Sequence, residues 1–176
     1  MKIALIALFF AASAFAQAPS GDLISACGPK PSSFDVKLDK SQHTLVLPEP
    51  GKALVYFIQE KGSDAFAVTT KIAIDGVWVG ANKNSSYLAV SVEPGEHHVC
   101  ASVQSLRGHP VGLVHFTAEA RKIYYFDGRV LYGGGADLYF FLDAVDSDQA
   151  KYLIGSLPLS ASTPSTQKKK QFFPKD

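Results

Sequence analysis

Apolar and polar residues alternate with a period of two along most of this chain, the spacing of strands with one buried face. Phe34-Asp-Val-Lys-Leu38 alternates in this way, and Thr44-Leu-Val-Leu47 runs into Pro48-Glu-Pro-Gly51, so two short strands ended by a turn are expected. Ala53-Leu-Val-Tyr-Phe-Ile58 is apolar throughout, rich in strand formers and too short for a helix, which predicts a central strand covered on both faces. Val68, Thr70, Ile72 and Ile74 then alternate against Thr69, Lys71 and Ala73, and Asp75-Gly76 supplies a tight turn into Val77-Trp-Val79.

Leu88, Val90 and Val92 share a face, and Pro94-Gly95 suits the centre of a type II turn. This predicts that the return strand His97 to Val103 pairs back with Tyr87 to Val92. On that strand Val99, Ala101 and Val103 point one way, and His98, Cys100 and Ser102 the other. Further strands are expected at Val111 to Phe116, Ile123 to Phe126 and Leu138 to Leu142, separated by Thr117-Ala-Glu-Ala-Arg121 and the glycine-rich Tyr132-Gly-Gly-Gly-Ala136. Asp146 to Ile154 carries an Asp or Ser N-cap, an acidic first turn and Gly155 as a stop, which predicts one short helix. Many short strands at regular spacing make the chain an all-β sandwich.

At the N-terminus, Lys2, the apolar Ile3 to Phe10 and Ala-Ala-Ser-Ala-Phe-Ala16 form the three parts of a secretory signal peptide, with cleavage expected between Ala16 and Gln17. A membrane anchor needs about 20 apolar residues; this stretch is broken by Gln17, Pro19, Gly21 and Asp22. The expected organisation is therefore a signal peptide over 1–16, an N-terminal arm over 17–33, a sandwich domain over 34–157 and a disordered basic tail over 158–176, with Lys168-Lys-Lys170 in the tail. Cleavage removes Lys2 and leaves sixteen basic against sixteen acidic residues, so net charge offers nothing to nucleic acid.

Two cysteines allow three readings: a disulfide, two unpaired thiols, or a Cys27 that is acylated. In an oxidising compartment Cys27 and Cys100 pair, and closing a loop of roughly 70 residues stabilises the fold by about 4 kcal/mol. Alternatively Ile24-Ser-Ala-Cys27 acts as a lipobox, and acylation of Cys27 tethers the protein to a membrane; the polar break from Gln17 to Asp22 separates it from the apolar run. The location expected is periplasmic or secreted, with a membrane-attached lipoprotein as the alternative if Cys27 is acylated.

With Gly51-Lys-Ala-Leu-Val-Tyr-Phe57, Ile74-Asp-Gly76, Gly80, Ser86-Tyr87, Glu93-Pro-Gly-Glu-His97 and Lys122-Ile-Tyr-Tyr125 in this order, the chain resembles the bacterial DUF 2846 family of exported proteins over residues 48–155. The resemblance implies a strand-rich domain behind a signal peptide or lipoprotein signal, and brings no catalytic residues with it. The Ile-Asp-Gly and Pro-Gly-Glu-His motifs also resemble the PEGA module of bacterial surface proteins. The fold so implied is an immunoglobulin/PEGA-like β-sandwich of about seven to nine short strands with one short C-terminal helix.

Candidate chemistry is sparse. His97, His98, His109 and His115 lie close in sequence, and His97 with His115 is the pair that would serve a metal site; adjacent histidines on a strand face opposite ways. Nucleophile elbows and zinc-protease motifs are absent from the sequence, and Gly133-Gly-Gly135 lacks the lysine of a phosphate cradle. Asp127, Asp137 and Asp143 flank that loop, either as a carboxylate pair or as turn formers. Neither an enzyme nor a cofactor is expected. Trp78, Tyr87 and Tyr132 are the candidate binding aromatics, with Trp78 exposed at a hairpin tip. The function expected is a non-enzymatic binding or accessory module of the bacterial envelope, engaging a protein partner through hairpin tips around Trp78 or an exposed sheet edge.

Overall fold

The computed structural model describes residues 25–28, 33–41, 43, 45–60, 68–83, 85–104, 109–133 and 138–165. The expected signal peptide, the Lys168-Lys-Lys170 run and Asp137 lie outside these residues. Among the described residues ten strands and one α-helix follow in order: β1 (Phe34–Asp39), β2 (Ala53–Gln59), β3 (Thr69–Ile74), β4 (Val77–Lys83), β5 (Ser86–Val92), β6 (Gly95–Gln104), β7 (Val111–Ala118), β8 (Ile123–Tyr132), β9 (Leu138–Ala144), α1 (Ser147–Ser156) and β10 (Leu159–Pro164). They form an all-β sandwich of a six-stranded sheet, β1-β10-β5-β2-β8-β9, and a four-stranded sheet, β4-β3-β6-β7.

β2 is the central strand its uniform apolarity predicts, buried at all seven positions. Ala53, Val55 and Phe57 face the core between the sheets, with Ile72, Val99, Ala101, Val103, Phe126, Phe140 and Leu142. Leu54, Tyr56 and Ile58 face the other way, under Ala150, Leu153 and Ile154 of α1. Asp146 caps α1 by accepting from the backbone N–H groups of Asp148 and Gln149. The helix runs through Gly155 rather than stopping there, and ends at Leu157, whose N–H donates to the Leu153 carbonyl.

The Asp75-Gly76 turn is the expected hairpin, with both residues at positive φ (51° and 77°) as a type I′ turn requires. A bulge between β3 and β4 lets Ala73 face Trp78 while Ile72 faces Gly80. The second hairpin does not exist. β5 pairs with β2 and β10 whereas β6 pairs with β3 and β7, so Glu93-Pro94 carries the chain from one sheet to the other. Pro and Gly specify a bend, and a bend joins sheets as readily as it joins neighbouring strands. β2–β8 and β10–β5 are moreover parallel pairs, which adjacent turns cannot produce.

Two further expectations are corrected. Leu45 to Glu49 is irregular rather than a strand: Leu45 rests on the helix-side cluster, Val46 donates its N–H to the Tyr56 hydroxyl (2.8 Å), and Leu47 is exposed. The domain also does not end at 157. β10 pairs with β1 over six residues, and the Ser160 and Ser162 hydroxyls accept from the N–H groups of Lys83 (3.3 Å) and Ala81 (3.2 Å), stitching the six-stranded sheet to the edge strand β4. Its Ser/Thr/Pro composition reads as disorder, yet a strand whose outer residues are exposed has no need of an apolar sequence.

Cys27 and Cys100 are disulfide-bonded. The bridge closes a separation of 73 residues, worth about 4 kcal/mol in loop entropy. It pins a 3-10 turn at Ser25–Cys27 to the outer face of the four-stranded sheet, opposite the main core as the alternation on β6 predicts. The sulfur that a lipid anchor at Cys27 would use is taken up by this bond. A disulfide is compatible with an extracellular or periplasmic location, and among the described residues no helix is long and apolar enough to cross a membrane.

Candidate functional site

Among the described residues, the cluster that α1 joins takes in β5, β2 and the first half of β8, and includes no residue of the second half of β8 or of β9. Alternation on β8 and β9 decides what lies there. Val130 and Phe140 turn inward, so their neighbours Leu131 and Tyr139, directly paired, turn outward, as do Arg129 and Phe141. Leu131, Tyr139 and Phe141 are 54%, 51% and 45% exposed, an apolar strip along two adjacent strands. Next in the same ladder Asp127 faces Asp143.

That carboxylate pair is the polar end of the strip. Asp127 is buried, 3% exposed, and its Oδ1 has no hydrogen-bond partner among the described residues. Burial pushes its carboxyl up to about 6; the nearby Glu60 carboxylate adds to this, the Arg129 guanidinium opposes it, and Asp143 contributes last. Arg129 stands between the two aspartates, bonded to Asp143 through Nη2 and 3.9 Å from Asp127 Oδ2 through Nε. Among the described residues, three carboxyls thus gather around one guanidinium. Asp127 and Asp143 face each other as a carboxylate pair must, but Arg129 is already committed to Asp143, which gives the group the character of an ion-paired cluster.

The three aromatics singled out in the sequence fare differently. Tyr87 is 2% exposed and packs with Tyr56, ring centroids 5.9 Å apart, beneath α1. It is a core residue. Trp78 is half-buried against Ala26, Ala73, Cys27 and Cys100, with its indole Nε1 shut away from solvent; Val77 beside it is the exposed residue of the hairpin. The arm laid over this hairpin by the disulfide covers the ring. Tyr132 ends β8, and its side chain lies outside the described residues. Tyr139 stands among the chain's tyrosines as a possible member of an aromatic patch, whereas Phe141 goes unmarked because Leu-Tyr-Phe-Phe-Leu142 reads as one apolar run; only the pairing with β8 shows which of them face solvent.

The histidines separate. His97 and His115 lie on opposite faces of the four-stranded sheet, since His97 is paired with Phe116 and His98 with His115. His98 and His115 therefore form the cross-strand pair, with ring centroids 6.1 Å apart, while Glu96 lies 3.9 Å from His98 Nε2. Among the described residues no group of three or more His, Cys, Asp or Glu side chains is arranged to hold a metal ion. His97 instead reaches Asp75 Oδ2 through Nδ1 and the Glu93 carbonyl through Nε2, each at 2.7 Å.

In comparison with known proteins, no family model matches the chain and no curated protein matches it.

Proposed function

We propose that this chain is an exported, non-enzymatic β-sandwich that serves as a binding or accessory module of the bacterial envelope, and that it engages a protein partner through the bare strip of β8 and β9. The observation that carries this reading is the strip itself: Leu131, Tyr139 and Phe141 side by side on a sheet face whose other half is covered by α1. The carboxyl-rich end at Asp127, Asp143 and Glu60, with one guanidinium among them, complements a partner segment that is apolar and carries a basic side chain at one end. The disulfide suits an exported chain. The motifs Ile74-Asp-Gly76 and Glu93-Pro-Gly-Glu-His97 keep the DUF 2846 family as the relationship proposed for it.

The test places a photo-crosslinking residue at Phe141 and, as a control, at the exposed Leu47, in cells that produce the protein. A discrete adduct is expected at Phe141 alone, and a Tyr139→Lys/Phe141→Lys double variant that keeps its disulfide and circular dichroism should compete for that partner at least tenfold less well. Equal adduct patterns at both positions, or undiminished competition by the double variant, would remove the strip from the function.

A further inference from the structure

His97 lies at the rim of the core with only 12% of its side chain exposed, and both ring nitrogens meet acceptors. Nδ1 is 2.7 Å from the Asp75 carboxylate and Nε2 is 2.7 Å from the Glu93 carbonyl. Neither acceptor has a hydrogen to offer. A neutral imidazole owns one N–H, so it satisfies one of these oxygens and sets a lone pair against the other; only the imidazolium donates to both.

The two acceptors belong to different parts of the sandwich. Asp75 is the first residue of the β3–β4 turn, and its other carboxylate oxygen accepts from the His98 N–H at 2.8 Å. Glu93 sits in the corner where the chain crosses from β5 to β6. Gly76, beside Asp75, donates its N–H to the Ala26 carbonyl of the disulfide-pinned arm at 3.2 Å. Gly28 of that arm lies so close to the Gly76 carbonyl oxygen that a Cβ there would be 2.1 Å from it. The hairpin tip is thus a junction of turn, corner and arm.

We propose that His97 is the pin of a pH-operated latch: charged, it ties the Asp75-Gly76 tip to the β5–β6 corner, and loss of its proton breaks one of its two ties and loosens the tip beneath the disulfide-held arm. The groups facing it are few. Among the described residues Asp75 contributes the one charge in contact; the Glu93 carboxylate is engaged by Lys52 at 3.8 Å, which also holds Glu49; β7 offers the Phe116 ring, 5.7 Å away; and Glu96 and His98 point to the opposite face of β6. Burial lowers the affinity of His97 for its proton, but the Glu93 carbonyl and the Asp75 carboxylate outweigh it and the balance is upward; Asp75 is correspondingly held below the usual carboxylate range against its own burial. The latch is therefore closed at and below the ordinary histidine range and opens as pH rises through the elevated value. This device is independent of what the β8–β9 strip binds.

Nuclear magnetic resonance titration of the disulfide-bonded protein decides it. Both ring N–H protons of His97 should be present on the acid side, its midpoint should lie above the ordinary histidine value, and the Asp75 and Gly76 amide resonances should move with that same midpoint. Asp75→Asn should bring the His97 midpoint down, and His97→Gln should leave the tip resonances without a transition in that range. A single ring N–H throughout, or tip resonances that ignore the His97 titration, would overturn the latch; both readings come from the wild-type protein and do not depend on either variant folding.

Discussion

A carboxyl group removed from water opposes its own ionisation, and Asp127 is the residue where this fold bears that cost most plainly. Its folded value of about 6 lies above the ordinary 3.8 of an unfolded chain, so its contribution to stability is fully present below the unfolded value and is lost as pH rises from there to about 6. Above that range the penalty is about 3 kcal/mol. Asp127→Asn should therefore raise the free energy of unfolding at pH 8 by roughly 2 to 3 kcal/mol and flatten its pH dependence between about 4 and 6, measured by urea denaturation across that range. An unchanged pH profile would show that Asp127 is better solvated than its burial implies. At this scale the sequence was a mixed guide: it brings Asp127 and Asp143 forward together, and they do face each other, but Tyr87 and Trp78 show that aromatic identity says little about exposure until the covering elements, α1 and the disulfide-bound arm, are in place.

Strands and turns pose a different problem, because backbone chemistry is local and pairing is not. The Asp75-Gly76 hairpin and the central burial of β2 were legible, since each is fixed by residues within one or two strands. The β5–β6 crossing was not, because the Pro94-Gly95 bend is compatible with either destination and the choice rests on the contacts of β6 with β3 and β7. The close approach of the two sheets at β7 and β9 was equally silent. A Cβ at Gly112 would stand 2.9 Å from Leu142 Cβ and 3.0 Å from its backbone nitrogen, so Gly112→Ala should destabilise by about 1 to 3 kcal/mol. Gly155→Ala is the matched control: it lies within α1, nothing approaches its Cβ position, and the substitution should stabilise by up to about 1 kcal/mol. Equal effects in chemical denaturation would mean that the seam yields to accommodate the methyl group.

The whole molecule depends on a strand that composition alone assigns to a tail. Truncation after Ser165 should leave the unfolding transition intact, whereas truncation after Leu157 removes β10, strips β1 of its partner and leaves the Ala81 and Lys83 N–H groups without the serine hydroxyls that accept from them. Loss of a cooperative transition in the second chain and its retention in the first, followed by near-ultraviolet circular dichroism, is the expected outcome; a cooperative chain ending at 157 would return β10 to the status of an ornament. Sequence patterning placed the sandwich, its helix and its disulfide, and missed the closing strand because an exposed edge partner can be built from Ser, Thr and Pro.

That closing strand also orders events in time. β1 is an edge strand whose one ladder neighbour is β10, more than a hundred residues later in the chain. A polypeptide is made from its N-terminus and, if exported, delivered in the same order. The first strand must therefore wait, unpaired, until the last has arrived, and a contact so distant in sequence forms slowly. The six-stranded sheet is completed only once β10 has emerged, which would leave an exported chain open through the very period in which a translocating polypeptide has to remain unfolded.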